Sequence, residues 1–365
     1  MGRKSRNKKI RRGTGDDRSQ DVGTQDENTA GDDDFVEEDD VEMNETPPEL
    51  QLEGYRHHRF NSERMNRAIG RYFERNTPDS IEEANEVLGN LFSGKKVDEI
   101  VAASKADGWD DIEEAQELMF QAMEMDVGAE AERLAAQAHA LDPVNPDANI
   151  WMAFQDAKSV DDLIKRLRAA RAAAEERFGE TFMEENKGQF WGNVFTRPYM
   201  RLRDATLRVL MRDERFEEAI AEAEAMLQLN PDDNQGIRSE LLALYLCVGD
   251  CAAARRLMKE YKEDSSAIFL WGRVFERILS NNKAGVRNAL KKAMQCNKYV
   301  LRYLLCVEEM PEKSPEFYKP GDRSEALVCM QTFMDVLNRH DKIMHGIAGA
   351  IADEMKRKMK DIEEI

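Results

Sequence analysis

The sequence predicts an all-α protein in which antiparallel helix pairs stack in series, and three observations carry that prediction. Gly and Pro are sparse (21 and 10 of 365 residues), while Ala, Leu, Met, Glu and Arg are frequent; straight-chain side chains lose little rotamer freedom in a helix. Apolar residues recur at i, i+3, i+4 and i+7, the stripe of an amphipathic helix. Small residues return at a fixed interval, since Ala219, Ala254 and Ala289 are each 35 positions apart.

Four segments follow in order. Residues 1–54 form a charged tail with a basic block, Gly2–Arg12, and an Asp- and Glu-dominated block from Asp16 to Glu49. Neither block carries enough apolar surface to offset backbone ordering entropy, so the tail is expected to be disordered. Residues 55–108 hold N-terminal helices. Asn61-Ser62 caps a helix through Met65, Ile69 and Phe73 that ends at Asn76-Thr77-Pro78. A second helix runs from Ile81 through Leu88 and Leu91. Val97, Ile100 and Val101 mark a short apolar turn before the breaker Asp107-Gly108. Residues 109–310 hold the helical repeats, and residues 311–365 are C-terminal capping helices.

The repeats are read directly from the pattern. Ile112 to Pro143 has a first helix with Ala115, Leu118, Met119 and Ala122, a break at Asp126-Val127-Gly128, and a second helix with Ala131, Leu134, Ala135 and Ala138. Met200 to Pro231 repeats the plan with Ala205, Leu207 and Leu210, then Phe216, Ala219, Ala223 and Met226. A third unit pairs Ile237, Leu241, Leu244 and Tyr245 with Ala254, Leu257 and Met258. A looser fourth pairs Ile268, Trp271, Val274 and Ile278 with Ala289, Leu290, Ala293 and Met294. Small residues let two helices approach closely. Proline just past the second helix sets the turn into the next unit. A pair alone leaves apolar surface exposed, so successive pairs must cover one another.

The interval is close to the ~34-residue period of tetratricopeptide repeats, and the chain resembles that family. Two strings are more specific: Glu184-Glu185-Asn186-Lys187-Gly188-Gln189-Phe190-Trp191-Gly192 with Thr196-Arg197-Pro198-Tyr199-Met200-Arg201, and Asn230-Pro231-Asp232-Asp233-Asn234-Gln235-Gly236-Ile237-Arg238. With Gly249-Asp250, Tyr261-Lys262-Glu263-Asp264, Tyr303-Leu304-Leu305 and Tyr318-Lys319-Pro320-Gly321, they resemble bacterial repeat proteins related to the suppressor of tumorigenicity 7 family. The resemblance covers roughly residues 111–330 and implies a right-handed α-solenoid with a concave groove. It implies no catalytic chemistry. From Arg339-His340-Asp341 onward the chain departs from the family and reads as a basic-acidic helix.

The net charge is −19, from 53 Lys and Arg against 72 Asp and Glu. A surface this acidic repels phosphate backbones, so nucleic-acid binding is expected only through residues 2–12. No apolar run approaches the ~20 residues that span a bilayer, so no membrane partner is expected. The basic N-terminus has no apolar segment behind it, and Arg6 stands where an acylation motif wants Ser or Thr. Cys247, Cys251, Cys296, Cys306 and Cys329 are odd in number and read as small hydrophobes within helices, which points to a reducing, cytoplasmic setting.

No reaction centre is legible. Gly89-Asn90-Leu91-Phe92-Ser93-Gly94-Lys95-Lys96 nearly spells a phosphate loop, but Lys96 replaces the required Ser or Thr and a helix, not a strand, precedes it. Asn230, Asp232 and Asn234 hint at a calcium loop, but Gln235 and Leu241 replace its glycine and bidentate glutamate; helix capping by Asp232 or Asp233 accounts for them. His57-His58, His340 and His345 are not spaced as ligands, and Cys247 and Cys251 have no nearby histidine. No cofactor, metal site or enzymatic activity is expected.

Arg197, Arg201, Asn234, Arg238 and Arg273 fall at or near the starts of first helices, the elements that line the groove of a repeat stack. Guanidinium forks converging there could clamp a carboxylate or an acidic peptide segment; pairing with nearby Glu and Asp is the structural alternative. The expected function is a non-enzymatic protein-interaction scaffold. An RNA- or ribosome-associated factor acting through the basic tail is the alternative.

Overall fold

Short polar side chains start many of the helices. Asp110, Asn145, Ser159 and Ser266 each accept a backbone N–H from the first turn that follows, and Asp250 and Asp322 accept two each. These caps satisfy N–H groups that a helix start leaves orphaned. The computed structural model describes residues 60–91, 94–106, 108–313, 315 and 317–363, and among these it holds seventeen helices and no strand. The tail expected at residues 1–54 lies outside the described residues, as do His57 and His58.

Three helices open the described part: α1 (Phe60–Arg75), α2 (Ile81–Leu91) and α3 (Val97–Ala106). Asn61 and Ser62 lie inside α1 rather than capping it. The segment expected as an apolar turn is a full helix, α3. Its Ile100 and Val101 bury against Ala68 of α1, and Ser104 Oγ donates to the Ala68 carbonyl at 3.1 Å. That packing stabilises a helix too short to hold itself.

Five helix pairs follow, each pair packed on the next. They are α4 (Asp111–Glu124) with α5 (Ala129–Leu141), α6 (Pro146–Asp156) with α7 (Val160–Glu185), and α8 (Arg197–Arg212) with α9 (Phe216–Leu229). Then come α10 (Ile237–Cys247) with α11 (Cys251–Glu260), and α12 (Ala267–Leu279) with α13 (Lys283–Cys296). The alanine seam works as its sequence suggests: Ala115, Ala122, Ala135 and Ala138 are all fully buried between α4 and α5. The pair α6/α7 escapes the repeat count because α7 is long and breaks at Gly179, whose φ of 74° is left-handed. First helices also touch along the row, α4 with α6, α6 with α8, and α10 with α12.

The last helices, α14 (Tyr299–Leu304), α15 (Arg323–Thr332), α16 (Met334–Arg339) and α17 (Lys342–Glu363), do not simply extend the row. Helices α15 and α16 turn back onto α10, while α15 and α17 lie on α12. Phe333, 1% exposed, meets Phe275 edge-on at 5.0 Å between centroids. Glu325 accepts the Ala267 N–H at 3.1 Å and an Asn297 amide N–H at 2.9 Å. His340 Nε2 donates to the Leu246 and Cys247 carbonyl oxygens, at 3.0 and 2.9 Å. Gly346 sits so close to Ile278 that a Cβ would come within 2.7 Å. Among the described residues no helix is long and apolar enough to cross a membrane.

Phe333→Ala is expected to cost about 3–5 kcal/mol by leaving a cavity under α15 and α16. Urea unfolding followed by circular dichroism measures it; a loss under about 1 kcal/mol would mean that this ring does not hold the C-terminal helices.

Candidate partner-binding face

The Thr196-Arg197-Pro198 string shapes the start of α8. Thr196 Oγ1 donates to the Phe190 carbonyl and lies 3.0 Å from the Asn193 carbonyl oxygen, Phe190 is fully buried, and Pro198 occupies the first turn. Arg197 Nε donates to the Trp191 carbonyl at 2.9 Å. This local fold aims Arg201, one turn further on, across the face shared by α4, α6 and α8.

Arg201 is 6% exposed and grips two carboxylates. Its Nε and Nη2 donate to Asp147 at 2.8 and 2.6 Å, and Nη1 donates to Glu63 at 2.9 Å. Phe60 and Phe120 lie within 5.4 and 5.9 Å of the guanidinium carbon. Burial opposes the charge, but Asp147 and Glu63 outweigh it and raise the Arg201 pKa above the ordinary guanidinium value. Gln116 donates to Asp147 at 2.8 Å and accepts from Asn145 at 3.1 Å, so the second layer is also satisfied.

The rest of α1 is held the same way. Arg64 donates to Glu117, with its Nε 3.1 Å from one carboxylate oxygen. Arg67 and Arg71 share Glu113 Oε1 at 3.1 and 2.7 Å, and both guanidiniums sit over the Phe195 ring at 4.8 and 4.4 Å. For Arg67, burial outweighs Glu113 and Glu63 and lowers the pKa. Helix α1 is therefore laid across the first-helix face mainly by charge pairs, not by a broad apolar seam.

The five residues expected to form one clamp are distributed. Arg201 and Arg197 converge on Glu63, Arg197 from 3.9 Å. Arg238 instead pairs with Asp264 at 2.8 Å and Asp233 at 3.1 Å, with its guanidinium over Tyr261. Asn234 is exposed, one residue past the Asp233 that accepts the Ile237 and Arg238 N–H groups; the capping residue is thus Asp233. Arg273 lies in the middle of α12, not near its start, and its Nε is buried without a hydrogen-bond partner among the described residues. Sequence reading missed Arg203, although Arg203, Arg238 and Arg273 follow one another at intervals of 35. It also missed the carboxylates Glu63, Glu113, Glu117 and Asp147, which look like ordinary surface residues until distant helices meet.

A cavity of about 420 Å³ opens between α7, α8 and α9, lined by Arg168, Arg171, Arg203, Glu218 and Glu222 among others. Its arginines are engaged: Arg168 with Glu218, Arg171 with Glu222 at 2.8 Å, and Arg203 with Glu222 at 2.5 Å. Hydrogen bonds from Arg215 and Arg168 lower the Glu218 pKa to about 2. Among the described residues no group of three or more His, Cys, Asp or Glu is arranged to hold a metal ion. The glycine- and lysine-bearing segment after α2 follows a helix, which leaves it without the strand a phosphate loop requires. Comparison with family models, with curated proteins and with solved structures gives no match.

The cysteines are not uniform. Cys247 and Cys329 are buried, Cys251 and Cys296 are partly covered, and Cys306 is exposed in a turn with left-handed φ, not within a helix. Burial pushes the Cys247 thiol up to about 11 and Cys329 well above its ordinary value, which removes thiolate character at neutral pH.

Two outcomes follow from this geometry. Arg201→Ala removes the hydrogen-bonded cation of Asp147 and Glu63 and is expected to cost about 3–5 kcal/mol in urea unfolding, with the triple change Arg201→Met, Glu63→Gln, Asp147→Asn recovering part of it. In thiol labelling of the native protein, Cys306 reacts first, while Cys247 and Cys329 react only on unfolding; early modification of Cys329 would contradict the packing around α15.

Proposed function

We propose that the chain is a non-enzymatic protein-interaction scaffold: a solenoid of the tetratricopeptide type that takes a peptide or protein partner on the face of its first helices. The observation that carries this reading is α1 itself. A helix bearing both carboxylates and guanidiniums lies across α4 and reaches α8, and the face grips it through Arg201, Glu113 and Glu117. Such a face is chemically suited to a charged polypeptide segment, because oriented ion pairs set register and exclude wrong partners.

The arginines then divide by how closely carboxylates of the chain hold them. Arg201 and Arg238 hold the wall, each committed to carboxylates of the chain. Arg197, whose nearest carboxylate is Glu63 at 3.9 Å, and Arg273, partly exposed, are the members left to meet an acidic segment or carboxylate, beside the exposed amide of Asn234. A cytoplasmic setting and the absence of a cofactor belong to the same proposal.

Arg197→Ala with Arg273→Ala is expected to lower partner capture by the full chain about 10-fold with little change in melting temperature. Arg201→Ala and Arg238→Ala should lower both. Affinity capture with quantitative mass spectrometry, beside thermal melts, reads the difference. Capture that survives all four changes would end the proposal.

A further inference from the structure

Between Glu276 and Glu308 the chain has no Asp or Glu, yet it carries Arg277, Lys283, Arg287, Lys291, Lys292, Lys298 and Arg302. In a protein with 72 acidic residues this is the reverse of the general balance. Helix α13 puts most of these cations on one surface. Lys283, Arg287 and Lys291 are spaced i, i+4 and i+8, about 6 Å per step along one face, and all three are exposed. Lys292 on the same helix and Lys298 just beyond it are also exposed, and Met294 adds an apolar side chain at 39% exposure.

The guanidiniums of this segment are paired, Arg277 with Glu276, Arg287 in the middle of the stripe with Glu354, and Arg302 with Glu308. Lys283, Lys291 and Lys292 reach no carboxylate among the described residues. Cations four apart repel one another, and Lys283 at the first position of α13 opposes the helix dipole. The stripe therefore costs local stability that an acidic chain could easily have avoided, which is the pattern expected where a surface serves a partner.

We infer that the exposed lysine stripe of α13 is a docking surface for an acidic helical segment of a partner protein, independent of the first-helix face. Carboxylates at i, i+4 spacing on a facing helix match the cation spacing. Nucleic acid fits less well. Lysines dominate the stripe, where planar forks would favour phosphate. Single-strand binders add aromatic stacking, but the nearby Tyr299 ring is taken by Lys298 and Arg323 at 5.2 and 4.4 Å. The net charge of −19 also repels a long polyanion beyond the stripe.

The test uses the full chain and two labelled probes of equal charge, a Glu-rich peptide helix with i, i+4 spacing and a single-stranded oligouridylate. Fluorescence anisotropy is expected to show peptide binding that weakens steeply with salt and falls about 10-fold or more in the Lys283→Glu, Lys291→Glu, Lys292→Glu variant. Because the three side chains are exposed, the variant should keep its melting temperature; the Gln triple variant serves as a second reading if it does not. Failure of the peptide to bind, equal binding by both variants and the parent, or tighter binding of the oligouridylate would each overturn the inference.

Discussion

A single guanidinium buried between two carboxylates organises the N-terminal half of the described fold. Arg201 sits on α8, Asp147 on α6 and Glu63 on α1, and the aromatic rings that cover it come from α1 and α4. Removing a charge from water costs several kcal/mol, so such a group persists only if its partners are oriented and themselves satisfied. Both conditions hold. Asp147 takes two bonds from Arg201 and one from Gln116, and Gln116 is fixed by Asn145 at the start of α6. The interaction is demanding in geometry, and that makes it a register device: any slip of α1 along α4 leaves carboxylates unpaired on a dry face.

The two ends of the first-helix row are finished by different physics. At α10 and α12 the closing helices bring apolar mass, with Phe333 against Phe275 and glycines where Leu242 and Ile278 press closest. At α4 and α8 the closing helix brings charge. An apolar closure is insensitive to salt and tolerant of small shifts, while an ionic one is specific and weakens as ions screen or compete. Charge pairs thus dominate the closure by α1, while the C-terminal closure combines a buried aromatic contact with hydrogen bonds from Glu325 and His340.

Periodicity made the repeats legible. The seam alanines and the pairs α4/α5, α8/α9, α10/α11 and α12/α13 can be read from residues close in sequence, which also narrow the cap to Asp232 or Asp233. The pair α6/α7 was hidden by the length of α7, and α3 passed as a turn because a ten-residue helix owes its stability to Ala68 and its neighbours. The clamp was half legible. Arg197 and Arg201 stand out beside an unusual string, but the carboxylate they hold lies 138 positions from Arg201.

Local chemistry alone therefore settled the all-α class and the pairing within α4/α5, α8/α9, α10/α11 and α12/α13, since those follow from propensity, caps and stripes within a few turns. The tertiary structure decided which charges are inside. A Glu or Arg in sequence is ambiguous between a solvated face and a buried pair, and only the meeting of α1, α4, α6 and α8 removes the water that makes the difference.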